Sequence, residues 1–169
     1  MARVRYELDP ERSQVWIEGS SSIHPIKATA SGLHGWVELE DPADGVGPSP
    51  KVAGEVRIAV DRLKSGNPLV DAETRRRIDA GRHPEIVGTV TGSTGLAPDR
   101  VGLGGTIALR GEVQPVEGEL AVTVEDGLLH LRGEQRFDVR AWGLQPPKIG
   151  LLRVHPDIVV RLDVVAVRA

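Results

Sequence analysis

The chain contains no cysteine among its 169 residues, and aromatic side chains make up only 3% of it. Without thiols it forms no disulfide and carries out no thiolate chemistry, so cysteine usage says nothing about its redox compartment. The scarcity of aromatic residues leaves branched aliphatic side chains to fill the interior. Such side chains favour β-strands and are suited to lining an apolar cavity.

Charge of one sign and long apolar runs are also lacking. The formal net charge is −3, which attracts neither nucleic acid nor an anionic membrane, so we expect no nucleic-acid partner. No apolar run reaches transmembrane length, and the first residues include no apolar core of signal-peptide length. We therefore predict a cytoplasmic protein that does not span a membrane, if Met1 is the native start.

Alternation of apolar and polar residues is the strongest pattern that is present. It is clearest in Asp157–Ala166 and recurs in Glu55–Asp61 and Glu119–Glu125. A period of two is typical of strands with one dry face and one wet face. About eight to ten such strands, with no repeat or linker between them, predict one all-β domain over residues 1–169, folded as a sandwich or a closed barrel.

One helix is predicted at about residues 68–80. Asn67 has the side chain of an N-cap, and Pro68 suits the first turn. Acidic residues stand near its start and arginines near its end, as the helix dipole favours. The expected i,i+4 ion pairs are Asp71–Arg75 and Glu73–Arg77, with Gly81 as the stop.

Two connections have a clear sequence pattern. Asp126-Gly127 predicts a tight hairpin turn, and Asp41–Pro50 predicts a loop rich in Gly and Pro. The segment Trp142–Leu152 is less usual, because two prolines exclude a central strand while its apolar residues are too many for a solvated loop. It is a loop packed on the flank of the fold, a lid over an opening, or a dimer surface.

Catalytic and metal-binding patterns are not found. His24, His83 and His155 each precede a proline and show no compact ligand spacing, even with Asp157 or Glu85 added. The run Ser20–His24 contains serine and histidine, but no G-x-S-x-G turn leads from a strand into a helix. We therefore predict no catalytic residues, no metal, no cofactor and no enzymatic activity.

Several short segments follow one another in an order that is found in a known family. They are Asp9-Pro10-x-x-Ser13-x-Val15-x-Ile17, His83-Pro84-Glu85-Ile86 after a short helix, Gly105-x-Ile107-x-Leu109-Arg110-Gly111, Gln114-Pro115-Val116, and Phe137-Asp138-Val139-Arg140-x-Trp142-Gly143. Together they resemble the YceI-like family, bacterial lipocalin-like proteins known as polyisoprenoid-binding. The resemblance implies an antiparallel lipocalin-like β-barrel of about eight strands, with one short helical insertion and an apolar interior that takes an extended isoprenoid or quinone-like chain.

The chain departs from the family pattern at Gly88, where the family has an aromatic residue. A glycine there either widens the cavity or leaves space that a neighbour such as Trp16 fills. An eight-stranded barrel has just enough interior for packed side chains or one slim ligand.

The candidate site residues come from strand parity, meaning the face of the strand to which the alternation assigns a residue, and from the apolar segment Trp142–Leu152. Those assigned to the dry side, and so to the lining of a cavity or to a packed core, are Val15, Ile17, Val56, Ile58, Val60, Leu120, Val122, Val124, Ile158, Val160, Leu162 and Val164. The candidates for the mouth and lid are His24, Arg140, Trp142, Leu144, Ile149 and Leu151.

Three functions follow from these expectations. The first is a soluble protein that binds an isoprenoid, a quinone or another fatty lipid inside the barrel. The second is a ligand-free structural or interaction protein that forms a homodimer through the Trp142–Leu152 segment. The third, with least support, is a metal-binding enzyme that depends on histidine.

Overall fold

The structure is a computed structural model that describes residues 3–40 and 51–169. The loop predicted over Asp41–Pro50 lies outside the described residues. The described part consists mainly of strands, with one α-helix and two short 3-10 turns, Val60–Arg62 and Val139–Trp142. The elements are β1 (Arg3–Leu8), β2 (Gln14–Ser21), β3 (Ile26–Ser31), β4 (His34–Glu40), β5 (Ala53–Ala59), α1 (Pro68–Ile78), β6 (Glu85–Ala97), β7 (Arg100–Leu109), β8 (Glu112–Glu125), β9 (Leu128–Asp138), β10 (Lys148–Ile149) and β11 (Leu152–Arg168).

Eight strands close into an antiparallel barrel. Their order is β1, β4, β5, β6, β7, β8, β9 and β11, and β11 returns to pair with β1. The first half of β11 pairs instead with β2, which carries β3 on its other edge. The predicted fold, an all-β antiparallel barrel with one short helix, is confirmed.

Alternation places the aliphatic side chains inside the barrel. In β11, Val164 and Ala166 are fully buried, while Arg161 and Asp163 stand on the outer face. The inward-facing residues of β11 lie beside inward-facing residues of both neighbouring strands, β2 and β9, because paired residues lie on the same face of the sheet. A second, smaller core lies at one end of the barrel, where Trp142 packs near Ile78 of the helix.

Ser13 joins β11 to the turn between β1 and β2. Its hydroxyl donates to the carbonyl of Val165 at 3.1 Å and accepts the amide of the same residue at 3.2 Å. The side chain is fully buried. It therefore satisfies the backbone of β11 at the point where the partner strand changes from β2 to β1.

The helix begins as predicted and ends differently. The Asn67 side chain accepts the amide of Leu69 at 3.0 Å, as an N-cap does. The helix stops at Ile78, and Asp79 rather than Gly81 takes the left-handed conformation, with φ of 59°.

The predicted ion pairs of the helix are partly right. Glu73 accepts hydrogen bonds from both Arg76 and Arg77. Asp71, however, does not pair with Arg75 but accepts the amide of Ser65 at 2.9 Å. Its carboxylate therefore holds the segment before the helix instead of a later turn of it.

Two of the alternating segments belong to strands that are longer than the pattern indicates. Strand β8 begins at Glu112, before Glu119, and β11 begins at Leu152, before Asp157. The turn between β8 and β9 at Asp126 and Gly127 is confirmed, since both residues have the positive φ of a tight hairpin turn.

Val124 corrects the parity assignment. Its side chain is 37% exposed, although Val122 on the same face of β8 is 6% exposed. Strand β7 reaches β8 only as far as Ala121, so the last residues of β8 have no neighbour on that flank. Val124 therefore lies beyond the covered part of the barrel.

We expect the two valines to respond differently to the same substitution. Val122→Thr buries a hydroxyl group and should lower the free energy of unfolding by about 1–3 kcal/mol. Val124→Thr keeps a β-branched side chain at an exposed position and should change it by less than about 0.5 kcal/mol. Equal losses in urea titrations would contradict the correction at Val124.

The ion pairs of Glu73 should make stability depend on pH. Hydrogen bonds from Arg76 and then Arg77 hold the pKa of Glu73 at about 2, below its ordinary value of 4.5. Because the pKa is depressed in the folded state, the stabilisation is present above about pH 4.5 and is lost as the pH falls toward 2. Glu73→Gln should be less stable than the wild type at neutral pH, and urea midpoints measured from pH 7 to 2 should converge.

Candidate functional site

The barrel encloses an apolar cavity of about 270 Å³. Its wall is formed by inward-facing residues of β5 to β9 and β11, closed by β2 and β4. Eight of the residues that parity assigned to the dry side line it. They are Val15, Val56, Ile58, Leu120, Val122, Val160, Leu162 and Val164. We call this space the main cavity.

A second cavity of about 150 Å³ lies beneath the helix α1. Three more of the predicted residues, Ile17, Val60 and Ile158, line it instead of the main cavity. Ile86 belongs to the walls of both cavities. The two spaces therefore adjoin along the barrel, and Val124 alone among the twelve predicted residues lines neither.

Gly88 leaves open space in the main cavity. A methyl group placed on it would meet no atom within 4 Å. Trp16 does not fill this space, because it lies on the outer face of β2 opposite Arg161. Of the two alternatives for Gly88, the wider cavity is the one observed.

Gly105, in the neighbouring strand β7, is a glycine for a different reason. A methyl group on Gly105 would lie 2.0 Å from the carbonyl oxygen of Thr89. The two strands approach closely here because their register shifts between Val90 and Gly92. This glycine is therefore required by the backbone, whereas Gly88 is not.

Residues of β6, β7 and β9 were missed by strand parity. They line much of the main cavity and include Gly88, Leu103, Ile107, Gln135 and Phe137. Glycines at several inward positions of β6 and β7 hide the alternation, because they carry no apolar side chain to count. The polar Gln135 conceals the same pattern in β9.

The apolar connection after β9 closes one end of the barrel. The Trp142 indole donates to the carbonyl of Ile107 at 2.8 Å and packs edge-on against Phe137, with ring centroids 5.9 Å apart. Leu144 is buried and lines the small cavity together with Pro146 and Pro147. This first half of the segment packs as a cover.

The second half of the same segment lines neither cavity, although β10 contacts the helix α1. Ile149 forms the short strand β10 against β11, and Leu151 is 91% exposed at the turn between them. Their assignment to a lid stays a prediction. A two-residue hairpin with a left-handed glycine, Gly150, turns Leu151 toward solvent.

The two polar candidates for the mouth, Arg140 and His24, also lie outside both cavities. Arg140 is bound to Asp138 at 2.7 Å, which lowers the pKa of that carboxyl group. His24 is exposed, and its ring lies 2.9 Å from the carbonyl of Pro25. Neither lines a cavity, because local partners hold both side chains outside.

Other polar groups line the small cavity instead. Arg75 and Asp71 reach it from the helix, and His155 reaches it from β11. The Nδ1 atom of His155 lies 2.8 Å from the hydroxyl of Ser20. The sequence gives no sign that these residues lie near one another. They line one cavity only because α1 packs over the end of the barrel.

Within residues 3–40 and 51–169, no three His, Asp or Glu side chains come close enough together to hold a metal ion. In the same part of the chain, no helix combines the length and apolar character needed to cross a membrane.

The closed barrel with an apolar interior defines the lipocalin-like class of proteins. A sequence profile of the YceI-like domain matches residues 6–166. The chain belongs to the YceI-like family, as the resemblance of its segments predicted. No curated protein matches the chain.

Solved structures share the fold at low sequence identity. BcnA of Burkholderia cenocepacia superposes with a TM-score of 0.79 at 12% identity, over 94% of this chain and 98% of its own. A polyisoprenoid-binding domain from Saccharophagus degradans, implicated in plant cell wall breakdown, gives 0.77 at 12% identity, over 98% and 99%. A YceI protein of Campylobacter jejuni gives 0.62 at 15% identity, over 78% of both chains.

We expect the two cavity-wall glycines to differ in their tolerance of alanine. Gly88→Ala adds a methyl group to open space and should change the free energy of unfolding by less than about 1 kcal/mol. Gly105→Ala forces two strands apart and should cost about 1–3 kcal/mol or more. Thermal melts of the two variants provide the comparison, and a destabilised Gly88→Ala would show that the main cavity is closed at that point.

Proposed function

We propose that the protein binds one extended apolar ligand inside the barrel, a polyisoprenoid, a quinone or another lipid chain, and that binding rather than catalysis is its function. The observation that carries this proposal is the open apolar space beside Gly88, which adjoins the small cavity at Ile86. In this proposal the chain lies along the barrel and contacts both cavities.

The shape of the space favours a slender ligand. Strands of the barrel form its wall, and its inward side chains are aliphatic apart from Phe137 and Gln135. An apolar chain that fills the cavity gains a free energy of about 25 cal/mol for each Å² of its apolar surface that is removed from water. After the cost of association, an isoprenoid of several units reaches about micromolar affinity.

Family membership supports the same proposal. The Saccharophagus degradans domain, which shares the barrel, is described as polyisoprenoid-binding. The main cavity of the present chain has the apolar lining that such a ligand requires. A quinone is the finer alternative within this class, since it joins the same kind of chain to a polar ring.

The homodimer alternative has less support from the packing. The Trp142–Leu152 segment was its proposed surface, yet Trp142, Leu144 and Leu152 are buried within their own chain. Only Leu151 of that segment offers a large exposed apolar side chain. Sedimentation of the ligand-free protein tests this alternative directly.

The proposal is tested by blocking the main cavity. Gly88→Phe should fill the open space and abolish binding of retinol, an uncharged fluorescent isoprenoid, while the melting temperature stays close to that of the wild type. Gly88→Ala is the matched control and should still bind. Equal retinol affinity in the wild type and Gly88→Phe would contradict binding inside the barrel.

The natural ligand requires a separate measurement. Organic extraction of the purified protein followed by mass spectrometry should release a long apolar molecule. Displacement of bound retinol by decylubiquinone at a lower concentration than by geranylgeraniol would favour the quinone within the class. An extract without lipid, together with no uptake of either compound, would overturn the proposed function.

A further inference from the structure

The barrel wall has a gap between β8 and β9. These strands pair only between Ala121–Glu125 and Leu128–Arg132. Beyond that point β8 stays paired with β7, and β9 stays paired with β11. We call the unpaired region the β8–β9 gap. It begins beyond the Ala121–Arg132 pair and ends at the 3-10 turn Val139–Trp142, which packs across β7 through the indole of Trp142.

The gap lies between the main cavity and the outer surface. Gly118, Gly133 and Gln135 line both the main cavity and a groove of about 1300 Å³ on the outside of the barrel. The Leu120 side chain and the Glu119 carbonyl take up the space beside Gly133, whereas only Gln135 lies near the space beside Gly118. Gly118 and Gln135 therefore mark the candidate passage from the solvent to the apolar interior.

Gln135 is the side chain that reaches across this passage. By alternation with Leu131 and Phe137 it faces inward, and its Oε1 atom would lie 3.5 Å from a methyl group on Gly118. It is nevertheless an exposed residue. Among the described residues that line the main cavity, Gln135 is the one polar residue that alternation places on the inner face.

From this geometry we propose that the apolar ligand enters sideways through the β8–β9 gap, and that its polar end is uncharged and stays in the gap beside Gln135. This inference rests on the proposed function, because a passage into the barrel has meaning only if the interior takes a ligand. A chain anchored there runs from Gln135 past Gly88 toward the small cavity.

The charges of the groove favour an uncharged polar end. Its three arginines each have a carboxylate within 4 Å, and a fourth acidic residue, Glu117, also lines it. An anionic end would therefore meet more negative than positive charge. The pairs are Arg100–Glu119 at 3.2 Å, Arg132–Asp163 at 3.7 Å and Arg161–Glu134 at 3.9 Å.

A cross-link across the gap tests the passage. The chain has no native cysteine, so two introduced thiols react alone. Gly118→Cys with Gln135→Cys is bridged by dibromobimane, which joins two nearby thiols. The matched control is Thr123→Cys with His130→Cys, which are opposite each other in the paired part of the same two strands. That bridge leaves the gap open.

Retinol uptake is then followed by stopped-flow fluorescence. Bridging the gap should slow association by at least about tenfold relative to the same variant before bridging, whereas the control bridge leaves the rate unchanged. Uptake at an unchanged rate through a bridged gap would overturn the passage. A wild-type protein that takes up no retinol would instead refute the proposed function, so the two failures are distinguishable.

The charge of the polar end is tested by competition against bound retinol. Geranylgeraniol and geranylgeranyl diphosphate share one chain and differ only at the end. The alcohol should compete at least about tenfold better, and Gln135→Leu should reduce that advantage. A stronger diphosphate would overturn the uncharged end and place an anion beside Arg75 and His155 at the small cavity.

Discussion

Strand β11 is hydrogen-bonded to neighbouring strands along both of its edges, and the rest of the fold depends on this double pairing. One edge pairs with β9 from Asp157 to Val167, while the other is divided between β2 and β1. At the change of partner, Ser13 supplies the hydrogen bonds that neither strand provides. Since a shift of one residue would turn every side chain of β11 to the opposite face, its register sets the inside of the barrel.

The interior is open because the wall is unevenly filled. Large aliphatic side chains pack one part of the barrel, where Leu129 and Val164 are fully buried. Toward β6 and β7, Gly88 contributes no side chain, and β8 separates from β9 near Gly118. Packing, cavity and lateral gap are thus consequences of where glycines fall along paired strands.

Much of this arrangement could be predicted from strand alternation. Eleven of the twelve assigned residues line one of the two cavities, because a period of two identifies the inward face without knowledge of the neighbours. The failures occur where neighbours decide. Val124 has no strand on one flank, and Arg140 is held outside by Asp138.

The amino-acid sequence was enough to predict the all-β class, the start of the helix at Asn67, the turn at Asp126 and membership of the YceI-like family. These features depend on residues close together in the chain or on their order. Only the folded structure shows that Gly88 faces open space, that Arg75 and His155 line the same small cavity, and that β8 and β9 separate beside Gln135. Each of these depends on strands or a helix distant in sequence, whose spacing and register are set by packing and by backbone hydrogen bonds across the barrel.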